Sequence, residues 1–346
     1  MSGMEEARSG DRTQAEAQAA LLQMTNGYWT TQVIYTAAKL GIADQLADGP
    51  QNVETLARVT ETHAPSLYRL MRTLGGLGLV TEDADGQFST TSLGRCLATG
   101  TPGALRARAI LNGEDWYTAW GGLLESVRTG ETAFDHVAGR SFFEHLAESP
   151  RSAAVFNEAM ASSTESAARA VAAAYDFSPF TTVVDVGGGS GAFLTGLLQS
   201  RPELRGVLVD LPNVAPAAER LLADAGVADR CEVVAGDFFQ SVPVGGDVYI
   251  LSWVIHDWDD ARSISILQNC RRAMADHARL LILEQVIPPG DGPSFAKLYD
   301  LHMLVLSGGR ERTEGEYREL LAAADLELTN VIPTEVPRNV IEAAPR

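Results

Sequence analysis

The chain has 346 residues, 45% hydrophobic and 21% charged, which is the composition of an ordinary globular protein with room for two domains and a large core. Its net charge of −18 speaks against polyanionic partners, so neither nucleic acid nor an acidic membrane surface is expected. No apolar run approaches the ~20 residues that span a bilayer, no signal peptide is visible, and the scattered Cys96, Cys231 and Cys270 lack a CxxC pair, so a reducing cytoplasm is the expected compartment.

Residues 1–13 read as a disordered tail, and an Ala-rich helical pattern follows from Gln14 to about Leu40. Val53, Leu56 and Val59 lie on a short helix; a turn through Thr62 to Pro65 leads to a longer one with Leu67, Leu70, Met71 and Leu74 on one face. A strand at Leu79-Val80, an acidic tip and Phe88 complete a helix–turn–helix plus hairpin, the pattern of a winged helix. Such a unit suggests DNA, but the charges oppose it: residues 36–100 carry five positive and seven negative side chains, and the wing tip holds Glu82, Asp83 and Asp85. Neutralised phosphates are the main source of affinity for DNA, so a structural role is expected over residues 14–102.

Residues 103–176 read as helical and aromatic-rich. From 177 to 346 the chain alternates between strands and helices, with strands at Thr182–Val186, Val207–Asp210, Cys231–Val234, Val248–Ser252 and Leu280–Glu284. This is the signature of an α/β Rossmann-like doubly wound sheet. Leu326–Ile332 and Asn339–Glu342 read as a closing hairpin.

The first of these strands runs into Asp185-Val186-Gly187-Gly188-Gly189-Ser190-Gly191. Glycines there let the backbone turn tightly and approach a ligand, and Asp210 stands about 20 residues on, where an acid grips ribose hydroxyls. A nucleoside cofactor is implied. Asp185 suits one with an ammonium and a sulfonium and would repel a pyrophosphate, and Asp237 and Phe238 can meet an adenine amino group and ring face. The choice tilts to S-adenosylmethionine over a nicotinamide dinucleotide.

The fourth strand continues into Ser252-Trp253-Val254-Ile255-His256-Asp257-Trp258-Asp259-Asp260. With this stretch the chain resembles the plant-type (caffeic acid/hydroxyindole) family of S-adenosylmethionine-dependent small-molecule O-methyltransferases, in its bacterial natural-product branch. The likeness covers residues 20–345 and includes the winged-helix region, the VDVGGGSG loop, Asp210-Leu211-Pro212, GDFF, HDWDD, Glu284 and the run Gly308 to Thr313. It implies a homodimer built through the N-terminal domain and a metal-free methylation of a small aromatic hydroxyl, leaving S-adenosylhomocysteine.

The resemblance makes His256 the general base, flanked and held by Glu284 and Glu311; a phenol with pKa ~10 is a poor nucleophile until an imidazole takes its proton. It places Asp185, Gly187, Gly189, Asp210, Leu211, Asp237, Phe238, Ser252 and Trp258 on the cofactor. The plant pattern has lysine at the position of Ser252, so that contact departs from the family. Phe156, Met160, Trp253 and Met303, with Trp116 and Trp120, are the expected acceptor contacts. Asp257 and Asp259 read as charges at the start of the next helix. His302 would suggest a metal-assisted or carbon-methylating variant only if it faced His256. Transfer to carbon or nitrogen remains the alternative on the same fold, and a ligand-sensing winged-helix regulator the alternative of a different class.

Overall fold

The computed structural model describes residues 13–101 and 103–346 of the chain. The expected disordered tail therefore lies, except for Thr13, outside the described residues. Contacts divide the chain into two units that meet in sequence between Glu114 and Asp115.

The first unit begins with helices Gln14–Thr25 and Gly27–Leu40. Thr13 opens the former with a capping box: its hydroxyl accepts from the Glu16 N–H, and the Glu16 carboxylate accepts from the Thr13 N–H. Leu21, Leu22, Met24, Tyr28 and Trp29 are exposed on these helices. The winged-helix elements follow, as helices Val53–Val59 and Ala64–Gly76 and antiparallel strands Val80–Glu82 and Gln87–Thr90. Leu67, Met71 and Leu74 are buried along one face of the second helix, and Phe88 is buried from the hairpin. A third short strand, Gln51–Asn52, pairs with Gln87–Thr90.

The second unit opens with short helices and then the long helix Pro150–Ala174. A seven-stranded sheet follows: β1 Thr182–Val186, β2 Arg205–Asp210, β3 Cys231–Ala235, β4 Val248–Ser252, β5 Arg279–Glu284, β6 Leu326–Pro333 and β7 Asn339–Pro345. The spatial order is β6-β7-β5-β4-β1-β2-β3. The first five strands are parallel, whereas β7 runs antiparallel to β5 and pairs with β6. The closing hairpin thus extends the sheet and makes it mixed. In β1, Val184 and Val186 pack into one core and Val183 into the other, as the two-residue period of a strand demands. In an open α/β sheet of this kind the crevice outside the carboxyl ends of the parallel strands is where ligands bind.

Among the described residues no helix is long and apolar enough to cross a membrane.

Candidate active site

A cavity of about 980 Å³ opens at the carboxyl ends of β1 and β4, and all of its walls come from the second unit. Gly187, Gly189 and Gly191 have φ of 73°, 57° and 81°, the left-handed region that glycine enters without strain. Gly188 is required for space: a Cβ would lie 2.8 Å from Asp185 Oδ2. Asp210, at the end of β2, ties this turn down, accepting from the N–H groups of Gly189 (2.8 Å) and Leu211 (2.7 Å).

Asp185 is fully buried beneath the turn, and neither of its carboxylate oxygens has a hydrogen-bond partner. Burial, with the charge of Asp210, pushes its carboxyl up to about 7. An orphaned acid at a cavity wall fits a ligand that brings its own N–H donors, and the ammonium of S-adenosylmethionine is such a group. Gly187, Gly189 and Ser252 also line the cavity; Asp210, Leu211, Asp237, Phe238 and Trp258 do not. Asp237 accepts from the Phe239 N–H and the Gln240 side chain. Phe238 and Trp258 pack with Phe239 behind the loop, the two rings 6.4 Å apart, and a Cβ on Gly187 would meet Phe238 at 3.2 Å. Of these five, Asp210 and Phe238 meet the turn itself.

Beyond β4 the chain makes a short 3-10 turn, Ile255–Asp257. His256 is 4% exposed, and its Nδ1–H donates to Glu311 Oε1 at 2.8 Å. A carboxylate only accepts, so Nε2 is the lone-pair atom of the neutral ring. Burial pushes this imidazole down, but the Glu311 hydrogen bond and the charges of Asp257, Glu284 and Glu311 outweigh it and lift it to about 9.

Glu284 does not hold the ring as expected: its Oε1 accepts the backbone N–H groups of Val254 (3.2 Å) and His256 (3.0 Å), and Oε2 accepts from the Tyr317 hydroxyl. Glu284 ends β5 beside the turn, so its carboxylate meets backbone before it can reach the imidazole. Asp259 caps helix Asp260–Ala273 as expected, accepting from the Arg262 N–H. Asp257 instead belongs to the 3-10 turn, with Oδ1 3.8 Å from His256 Nε2, because the helix starts later than the run of acids suggests.

Gly309 presses directly on this turn: a Cβ there would sit 2.2 Å from the His256 carbonyl oxygen and 3.1 Å from Asp257 Cα. Neither is the end of a flexible side chain. Gly309→Ala should therefore displace the turn at a cost of about 1–3 kcal/mol, read as a melting temperature lowered by several degrees together with reduced turnover; an unchanged melt would contradict the contact.

Phe156 and Met160 lie one helical turn apart on Pro150–Ala174, and both line the cavity with Trp116, Trp253 and Met303. Trp120 stands behind the wall and donates its indole N–H to His302 Nδ1 at 3.1 Å. Trp116 meets the same His302 ring edge-on at 4.5 Å. Tyr299 packs on His256 (6.4 Å) and on His302 (5.3 Å), so the two histidines are bridged by an aromatic ring rather than set as a ligand pair. Trp253 has φ of +55°, which is strained for a bulky residue, and the Arg338 guanidinium lies 4.2 Å over its ring while donating to Ser252 Oγ.

Sequence reasoning missed Tyr299 and Arg338. Tyr299 was legible: with His302, Met303 and Leu306 it makes an i, i+3, i+4, i+7 face. Arg338 carried no signal, since it reaches the cavity only because β7 returns beside β5.

The described region matches the O-methyltransferase domain family over residues 120–327 and the O-methyltransferase dimerisation domain over residues 22–100. The chain is 53% identical over 325 residues to the phenazine O-methyltransferase PhzM of Lysobacter antibioticus, covering 94% of this chain and 95% of that protein. A crystal structure of LaPhzM superposes with a TM-score of 0.88 at 52% identity, covering 95% of this chain and 99% of the other. The structure of NcsB1, an O-methyltransferase from neocarzinostatin biosynthesis in complex with S-adenosylmethionine and 2-hydroxy-5-methyl naphthoic acid, matches with a TM-score of 0.76 at 34% identity over 92% of this chain and 96% of that one. A phenazine-1-carboxylate N-methyltransferase of Pseudomonas aeruginosa is 31% identical over 324 residues, 94% of this chain and 96% of that protein. The chain belongs to the family of S-adenosylmethionine-dependent O-methyltransferases, with its dimerisation domain ahead of the catalytic one.

Proposed function

We propose that this enzyme methylates a hydroxyl on a planar aromatic metabolite of natural-product type, with His256 as the general base. When bound, S-adenosylmethionine supplies a methyl group already activated on a sulfonium, leaving S-adenosylhomocysteine. The chain's own residues then have to align the acceptor, exclude water and remove one proton. His256 Nε2 takes that proton; Glu311 fixes the ring by its bond to Nδ1 and stabilises the imidazolium that forms. Glu284 holds the turn on which the ring stands. Asp185, the glycine turn and Ser252 hold the cofactor, with Asp210, Leu211, Asp237, Phe238 and Trp258 shaping that end. Phe156, Met160, Trp116, Trp253 and Met303 sandwich the acceptor, and Trp120 sets His302.

The observation that carries this reading is His256 on the wall of a largely apolar cavity whose other end is the glycine turn, its ring bonded to Glu311 behind that wall. Residues 116–164 contribute one wall and residues 185–338 the other. Arg338 is buried at 4% and brings a positive charge to the wall, which suits an anionic ring substituent. NcsB1 was solved in complex with 2-hydroxy-5-methyl naphthoic acid and the Pseudomonas relative is named for phenazine-1-carboxylate, both of which bear a carboxyl group. The exposed apolar residues Leu21, Leu22, Met24, Tyr28 and Trp29, within or beside the dimerisation domain, support a homodimer.

Incubation with trideuteromethyl-labelled S-adenosylmethionine and paired hydroxyphenazines and hydroxynaphthalenes, each with and without a carboxyl group, tests this. The expected product gains a labelled methyl ether. A label found by NMR only on nitrogen or carbon, or no transfer across the panel, would overturn O-methylation of such acceptors.

A further inference from the structure

The His256 turn spans three residues and is too short to hold itself, and side chains of opposite charge bind its two sets of backbone groups. On the N–H side stands Glu284, fully buried, accepting from Val254 and His256. On the carbonyl side stands Arg312, also fully buried and the largest such side chain among the described residues. Its Nη1 donates to the Ile255 carbonyl at 3.1 Å and its Nη2 to the Trp258 carbonyl at 2.8 Å, so that it brackets His256 from both sides in sequence. Nη2 and Nε also reach Asp260 Oδ1, at 2.9 and 3.2 Å, at the start of the next helix.

Arg312 follows directly on Glu311, which bonds the imidazole, and on Arg310, whose backbone N–H donates to the His256 carbonyl at 2.8 Å. Three consecutive residues thus address the carbonyl of His256, its ring, and the carbonyls on either side. Arg312 is anchored in turn by parallel pairing of Arg312–Thr313 with Val286–Ile287, just past Glu284. A buried guanidinium is tolerated only when its N–H groups are met, and here backbone carbonyls and one carboxylate meet them.

We propose that Arg312 is a positioning residue for methyl transfer, setting the angle at which His256 Nε2 meets the acceptor hydroxyl. This rests on His256 being the base. Its planar fork spans two carbonyls and a carboxylate together, which the point charge of lysine does not do. A misplacement of about 1 Å in a reacting group costs on the order of 100-fold in rate.

The test uses the full-length enzyme with S-adenosylmethionine and 1-hydroxyphenazine. Arg312→Lys should lower kcat about 10- to 100-fold, with the KM for the acceptor and the Kd for S-adenosylmethionine changed by less than about threefold. Its deficit should vanish in a His256→Ala background, because two residues acting through one group are not additive. A full deficit in that background, or a loss of cofactor affinity that tracks the loss of kcat, overturns the proposal. If Arg312→Lys does not fold, Asp260→Asn carries the test from the outer end of the same contact. It should lower kcat several-fold with cofactor affinity intact, and an unchanged kcat overturns the proposal. Failure of the underlying reading is distinct: His256→Ala would then keep its activity by itself.

Discussion

Replacing His256 with alanine should lower kcat by about 10²- to 10⁴-fold, the usual worth of a positioned general base. Cofactor affinity should survive, because His256 is held by Glu311 and by the backbone of its own turn rather than by the glycine turn and Asp185. Calorimetric titration with S-adenosylmethionine should give a Kd within a few-fold of the parent. The loss should also depend on pH in a particular way. As the medium approaches the acceptor's own pKa, ~10 for a simple phenol, the acceptor ionises without help and the variant's rate should climb toward that of the parent. A rate deficit that stays constant with pH, or full activity at neutral pH, would rule out the assigned role.

Glu311→Gln should move the pH profile. With its buried partner in place the His256 imidazole is raised from 6.5 to about 9, through the Glu311 bond and the neighbouring acids acting against burial. A base works only when neutral, so kcat/KM of the parent should rise about tenfold per pH unit and level off near that value. Glutamine still accepts from Nδ1–H but carries no charge, so burial gains weight and the acid limb should shift to lower pH. The plateau should fall by about 10- to 100-fold, since the ring is less basic and its cation less supported. Stability runs in the opposite sense. A raised folded-state pKa contributes fully below the unfolded value of 6.5 and is lost as pH rises through about 9. The parent's melting temperature should therefore fall more steeply than that of Glu311→Gln across this interval. Coincident limbs in the two enzymes would show that Glu311 does not set the base.

Much of this molecule was legible in its residues because the signals are local. The boundaries of β1 and β4 follow from runs of β-branched and apolar residues that end at Gly187 and at the turn after Ser252. The wing hairpin follows from Val80 and Phe88 flanking an acidic tip with Gly86 at φ 73°. The glycine turn and the acid two residues ahead of it require no partner to be recognised, since backbone conformation and charge belong to the segment itself.

Roles that depend on what crosses the sheet were a different matter. Glu284 was readable as a buried acid in need of a partner, but only the pairing of β4 with β5 decides that its partner is the backbone of the His256 turn. Arg312 looked like one cation in a charged run, and it becomes fully buried because the strand after Gly309 packs beneath that turn. Arg338 reaches the cavity through the return of the last strand, more than 80 positions from Ser252, which it contacts. The sequence alone determined most of the chain's strands and helices, its glycine turn and the position of His256, the cavity histidine that precedes an acidic run. Only tertiary structure decided which charge answers which, because side chains distant along the chain become neighbours through strand order, and no local periodicity encodes that order.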